Sequence, residues 1–176
     1  MESALPSLGS KPSSKKQWVW VGIVAVLAVA FVGWSLRGAN RTALPGAPAP
    51  LPTLDGKEMT LASLQGKPTM LAFWAPWCGY CKQAVSTISK VAELAGSHAQ
   101  VVSVALSYDD RAAVEKFTKD NHVDYPVLLG DNATAQAFGV DSFPTFYFVA
   151  SDGRVSQKVV GALPTAGLLW QLFWAG

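Results

Sequence analysis

The sequence predicts one α/β domain, a central mixed β-sheet flanked by helices, behind an N-terminal transmembrane helix. Three observations predict it. Residues 18–36 form an uncharged apolar run, a proline-rich stretch follows, and beyond it apolar runs of strand length alternate with amphipathic stretches of helix length. A chain of 176 residues suits one ordinary domain of roughly 100 to 200 residues plus an appendage. The formal net charge is +2 and no long run of Lys and Arg occurs, which argues against a nucleic-acid surface.

From Gln17 to Leu36 no residue is charged, and Trp18, Trp20 and Trp34 lie near the ends. About 20 apolar residues at helical rise match the hydrocarbon thickness of a bilayer, and indole rings favour its interfaces. A buried core helix, the alternative, would need apolar surroundings on every side that nothing else in the chain supplies. Lys11, Lys15 and Lys16 precede the run and Arg37 and Arg41 follow it, so the charge bias is weak. A short basic head before the first apolar stretch is nonetheless the form of an export signal, which predicts a cytoplasmic N-terminus and a translocated domain. Ala28-Val29-Ala30 also fits a small-x-small cleavage site, so a cleaved signal peptide is the rival; the apolar run continuing through Phe31, Val32 and Trp34 suits a retained span better.

The expected organisation is a basic tail over 1–17, an anchor over 18–36, an Ala/Gly/Pro-rich linker over 37–50 and the α/β domain over 51–176. Pro45, Pro48, Pro50 and Pro52 oppose helix and central strand and favour a semi-stiff tether. Strands are predicted at Thr69 to Trp74, Val101 to Ser107, Pro126 to Leu129, Thr145 to Val149 and Val155 to Val160. Helices are predicted from Cys78 to Ala95, Arg111 to Asn121, around Ala133 to Phe138, and Pro164 to Trp174, the last carrying Leu168, Leu169, Leu172 and Phe173 at helical spacing. Ser151-Asp152-Gly153-Arg154 reads as a hairpin turn.

Cys78 and Cys81 are the chain's two cysteines. A disulfide closed over two intervening residues removes little entropy from the unfolded chain, so stapling is a poor reason for the pair. The motif lies where a buried strand gives way to a helix, which puts Cys78 at a helix N-terminus. Unpaired N–H groups and the positive end of the macrodipole there favour a thiolate. Cys81, one turn on, is expected to be more buried, and the spacing puts both sulfurs on one face, where they can close a disulfide. Metal ligation by a lone CxxC usually needs two further ligands, and His98 and His122, the two histidines, are not beside the motif. A two-cysteine copper site lacks a supporting methionine pattern.

The sequence resembles the thioredoxin superfamily, specifically the membrane-anchored TlpA-like thiol-disulfide oxidoreductases of bacteria. The resemblance covers roughly Pro48 to Gly176. It rests on Leu54-Asp55-Gly56-Lys57, Leu64-Gln65-Gly66-Lys67-Pro68, Phe73-Trp74-Ala75-Pro76-Trp77-Cys78-Gly79-Tyr80-Cys81 and Phe143-Pro144-Thr145. It implies a thioredoxin-like fold, a cis Pro144 facing Cys78, and the Phe143 backbone as an edge for an extended substrate. Cys78 and Cys81 are then the catalytic pair, with Trp77, Gly79, Tyr80, Phe143 and Pro144 in contact with substrate. The redox-active disulfide serves in place of a cofactor or metal.

The implied function is reduction of protein disulfides on the periplasmic side of the bacterial inner membrane, with cytochrome c maturation as one such pathway. Electrons would come from a membrane donor of the DsbD/CcdA type. Two departures bear on proton handling: positions where relatives often carry an acid, six before the first cysteine and three after the second, are Ala72 and Ala84. Gly79-Tyr80 resembles the dipeptide of periplasmic disulfide isomerases, so isomerase or oxidase work is the alternative. A copper-binding or client-binding module is the alternative from another class.

Overall fold

The computed structural model describes residues 14–39, 42–46 and 49–176, apart from the side chains of 14–17 and 33–39. The chain divides into two units, Met1–Asn40 and Arg41–Gly176. Among its described residues the first holds one helix, α1 (Ser14–Ala39), of 26 residues. It starts within the segment expected to be a basic tail, whose residues up to position 13 lie outside the described ones. Its described side chains, 18–32, are exposed and apolar. Among the described residues no helix is long and apolar enough to cross a membrane.

The second unit runs β1 (Thr42–Ala43), β2 (Leu51–Pro52), β3 (Glu58–Met59), β4 (Thr69–Trp74), α2 (Gly79–Ala95), β5 (Gln100–Ala105), α3 (Arg111–Asp120), β6 (Val127–Leu129), α4 (Asn132–Ala137), β7 (Thr145–Val149), β8 (Arg154–Val160) and α5 (Thr165–Ala175). A single 3-10 turn, Leu61–Leu64, precedes β4. The main sheet has the order β1-β8-β7-β4-β5-β6, with β4, β5 and β6 parallel and β7, β8 and β1 antiparallel. The strands and helices expected beyond residue 69 are all present, most within a residue or two of their predicted ends.

One feature, the first strand, lay outside the sequence reading. Thr42 and Ala43, within the segment read as linker, pair with Val155 and Arg154 as an edge strand. Leu51 and Pro52 form a small hairpin with Glu58 and Met59, joined to the main sheet where Thr53 bridges Leu128. The hairpin turns at Gly56, whose φ of +83° is open to glycine at no steric cost. Thr53 Oγ1 donates to the Asp55 carboxylate, and the same oxygen accepts from the Lys57 N–H at 2.9 Å.

The central position of β4 explains its composition. Every residue from Thr69 to Trp74 is buried, as a strand covered on both faces must be. Leu71 and Phe73 point to one face, packing with Leu64, Val104, Phe138 and Tyr147. Met70 and Ala72 point to the other, under α2 and α5 with Ile88, Val91, Phe146 and Leu168. Burying one such large side chain contributes about 1.5–3 kcal/mol. Helix α2 meets this face through Ala84, Val85, Ile88, Val91 and Ala95, a stripe at helical spacing. Asp110 and Asp131 cap α3 and α4, their carboxylates accepting from the N–H groups of Ala113 and Thr134.

Candidate active site around Cys78 and Cys81

Strand β4 delivers the chain to the C-terminal edge of the sheet, and Ala75 to Trp77 turn it into α2. The Cys78 N–H donates to the Ala75 carbonyl at 3.1 Å, closing that turn. Cys78 is the N-cap of α2, with extended backbone. Its Sγ accepts from the Cys81 N–H at 3.1 Å, so the sulfur takes the place that a capping oxygen would fill. Cys78 and Cys81 form a disulfide, with Cα atoms 5.2 Å apart. Cys78 is 7% exposed and Cys81 2%, the order expected from their positions on the helix.

Across from Cys78 lies the loop that leads into β7. The Phe143–Pro144 peptide bond is cis. Pro144 is buried and its carbonyl accepts from the Gly161 N–H at 2.8 Å, while Thr145 Oγ1 donates to the Ser142 carbonyl at 2.7 Å. Phe143 is half-buried and meets the Trp77 ring edge-on, with centroids 5.7 Å apart. Trp77 is 69% exposed, yet its Nε1 donates to the Ser107 carbonyl at 2.7 Å. Cys78, Trp77, Gly79, Tyr80, Ser142 and Phe143 line one open groove of about 400 Å³. Four of the five residues expected to contact substrate thus line the groove with Cys78, and buried Pro144 does not.

Trp74, left open between core and site by the sequence, belongs to the core beneath the pair. It is buried and stacks on Phe117 with centroids 4.4 Å apart. Ala72 and Ala84 are buried where an acid was missing, and His98 and His122 are exposed and line neither groove at the disulfide.

Two contributions escaped sequence reasoning. Ser107, with φ +49°, turns its carbonyl to Trp77 from just beyond β5, and no local signal marks that role. A second groove of about 370 Å³ opens on the other side of Trp77, between the start of α2 and α3, lined in part by Cys78, Lys82, Lys116, Phe117 and Asp120. Lys116 Nζ lies 2.7 Å from Asp120 Oδ2, and this hydrogen bond holds the Asp120 carboxyl below its usual range. The i, i+4 spacing of that pair was readable, but not that α3 would bring it beside Cys78.

Known proteins resemble the chain over most of its length. The thiol-disulfide oxidoreductase ResA of Bacillus subtilis is 27% identical over 158 residues, covering 85% of this chain and 87% of its own. The thiol:disulfide interchange protein DsbE of Pseudomonas fluorescens is 33% identical over 125 residues, 67% of each chain. Among solved structures, a secreted Mycobacterium tuberculosis disulfide oxidoreductase homologous to E. coli DsbE superposes with a TM-score of 0.62 at 27% identity, covering 71% of this chain and 94% of that one. The domain therefore has a thioredoxin-like α/β fold, with a mixed sheet between helices. With the Redoxin model matching residues 39–168, the chain, which carries its cysteine pair at a helix start, belongs to the Redoxin family.

Proposed function

We propose that the chain is a membrane-anchored thiol-disulfide oxidoreductase that reduces protein disulfides outside the cytoplasm. The observation that carries this reading is the Cys78–Cys81 disulfide at the start of α2, with Cys78 opening on a groove walled by Trp77, Tyr80 and Phe143. In the reduced protein, the Cys78 thiolate attacks one sulfur of a client disulfide. That S–S bond breaks, the other client sulfur leaves as a thiolate and takes a proton, and a mixed disulfide remains. Cys81, deprotonated, then attacks Cys78 Sγ, releasing the second client thiol and closing the Cys78–Cys81 disulfide. Two electrons pass to the client, and an external dithiol must return them. A membrane donor of the DsbD/CcdA type fits that need.

Helix geometry favours Cys78 as the attacking sulfur. The Cys81 N–H donates to Cys78 Sγ at the N-terminus of a 17-residue helix, where negative charge is stabilised. The cis Phe143–Pro144 loop supports the Phe143 backbone as the edge that an extended client strand would pair with, while Gly79 leaves the approach open and Trp77 and Tyr80 supply apolar contact. The names of ResA, a thiol-disulfide oxidoreductase, and DsbE, a thiol:disulfide interchange protein, support disulfide exchange. The 26-residue α1, with its exposed Trp, Val, Ile and Leu side chains and no charge from Gln17 to Leu36, supports single-pass anchoring, and the basic head of Lys11, Lys15 and Lys16 before it supports a cytoplasmic N-terminus.

The Gly79-Tyr80 dipeptide favours a second reading, isomerase or oxidase work. The reduction potential of the pair decides between them. Equilibration against glutathione and a stronger dithiol is expected to give a value near that of thioredoxin, about −270 mV; a value of roughly −180 to −120 mV would reject reduction as the task.

A further inference from the structure

Helix α5 carries no charged residue: its sequence is TAGLLWQLFWA, with Thr165 and Gln171 as its polar side chains. A helix on the outside of a domain ordinarily buries one apolar stripe and turns a polar face to solvent. In α5 the buried stripe is Leu168, Leu172 and Ala175, but the outer face is apolar too. Trp170 is 60% exposed and Phe173 75%. The ring of Trp174 joins them into one cluster, lying edge-on at 5.1 Å from Trp170 and 5.6 Å from Phe173. Single exposed hydrophobic residues are ordinary, whereas clustered large rings on an uncharged helix mark an interaction surface.

Strand register gives the cluster's position. Helix α5 begins just after β8, whose last residue Val160 pairs with Thr145, next to Pro144 at the redox end of the sheet. It finishes at the opposite end, where a Cβ on Gly176 would come 2.8 Å from Pro68, the residue before β4. At that same end Thr69 pairs with Val149, Val149 with Val155, and Val155 with Thr42. Thus the C-terminal half of α5 lies at the end of the sheet where the chain enters the domain from its N-terminal segment, and Cys78 lies at the other. Exposed Lys67 belongs to this entry end as well.

We propose that Trp170, Phe173 and Trp174 form a membrane-docking surface. They seat the domain in the headgroup region of the bilayer and hold the Cys78–Cys81 disulfide at the far end, facing its clients. The inference rests on the anchored reading given above. Aromatic rings favour the membrane–water interface, and an uncharged helix enters it without desolvating a charge. Lys67 adds attraction to anionic headgroups. A tether that enters the domain at the aromatic end keeps the bilayer at high effective concentration there, so a modest apolar patch suffices. A second copy of the chain is the competing occupant.

The test is Trp fluorescence of the full-length chain reconstituted in mixed zwitterionic and anionic vesicles, with and without lipid brominated near the headgroups. Subtracting the spectrum of the Trp170→Phe variant isolates Trp170. The expected result is a blue-shifted Trp170 contribution that loses at least half its intensity in brominated vesicles, whatever the protein-to-lipid ratio. Phe173→Trp supplies a second reporter at the more exposed position and is expected to be quenched likewise. Emission typical of water, quenched by acrylamide and not by bromolipid, would overturn the proposal. Shielding that grows with protein density would overturn it in favour of a second copy. Alkaline carbonate reads the anchor separately: release of the chain overturns the anchor and this inference together, whereas retention with unquenched reporters overturns the docking surface alone.

Discussion

The indole of Trp77 and the carbonyl of Ser107, 30 residues apart in sequence, are joined by a 2.7 Å hydrogen bond that pins an otherwise exposed ring beside the disulfide. The ring also meets Phe143 edge-on. Trp77→Phe removes the donor and keeps an aromatic ring. A net hydrogen bond is worth about 0.5–1.5 kcal/mol, so kcat/KM for a disulfide-bonded peptide is expected to fall about two- to tenfold. Stopped-flow reduction assays check this; an unchanged rate would show that the pinned orientation is irrelevant to turnover.

The two cysteines are expected to fail differently. Cys81→Ser leaves Cys78 able to attack but unable to be released, so incubation with a disulfide client should accumulate one mixed disulfide per chain, visible by intact mass. Cys78→Ser should give no adduct, because Cys81 is 2% exposed and out of a client's reach. Equal trapping by both variants would sink the assignment of Cys78 as nucleophile.

Asp131 ties stability to acid. Its Oδ1 accepts from both the N–H and the hydroxyl of Thr134 at 2.7 Å, and these bonds hold its carboxyl below the ordinary value of 3.8. The folded state therefore favours the carboxylate: the contribution is fully present above the ordinary value and is lost as pH falls through the lower folded one. Asp131→Ala should cost about 1 kcal/mol at neutral pH, toward the low side because the carboxylate is exposed, with the difference from the unmodified chain shrinking in acid. Urea midpoints at neutral and acidic pH measure it.

Gly130 leaves no room for a side chain. A Cβ there would lie 2.7 Å from Leu106 Cδ2 and 2.8 Å from Val104 Cγ1, both on fully buried residues. Gly130→Ala is expected to destabilise the domain by about 1–3 kcal/mol through overpacking, read as a lower urea midpoint at unchanged slope. A neutral outcome would mean that this corner of the core yields more readily than its burial implies.

Much of this protein was legible in the chain because the signals were local. The buried run Thr69 to Trp74, the stripe of α2 and the turn at Gly153 each specify their conformation through neighbours a few residues away. The position of Cys78 at a helix start, and hence its chemistry, followed from the same strand-to-helix boundary. Thr42 and Ala43 were not legible as a strand: two residues with no pattern become one only because the edge of β8 offers them partners.

What the sequence by itself determined is the alternation of strands and helices, the cysteine pair on one helical face and the presence of an uncharged N-terminal apolar run. Tertiary structure alone decided which distant groups meet: Ser107 under Trp77, Phe143 against it, Lys116 and Asp120 beside Cys78, and the aromatic face of α5 at the end of the sheet opposite the disulfide. The physical reason is range. Backbone preference and hydrophobic period act over one or two turns of chain, whereas these meetings depend on strand order and register, which only the burial of the whole sheet selects.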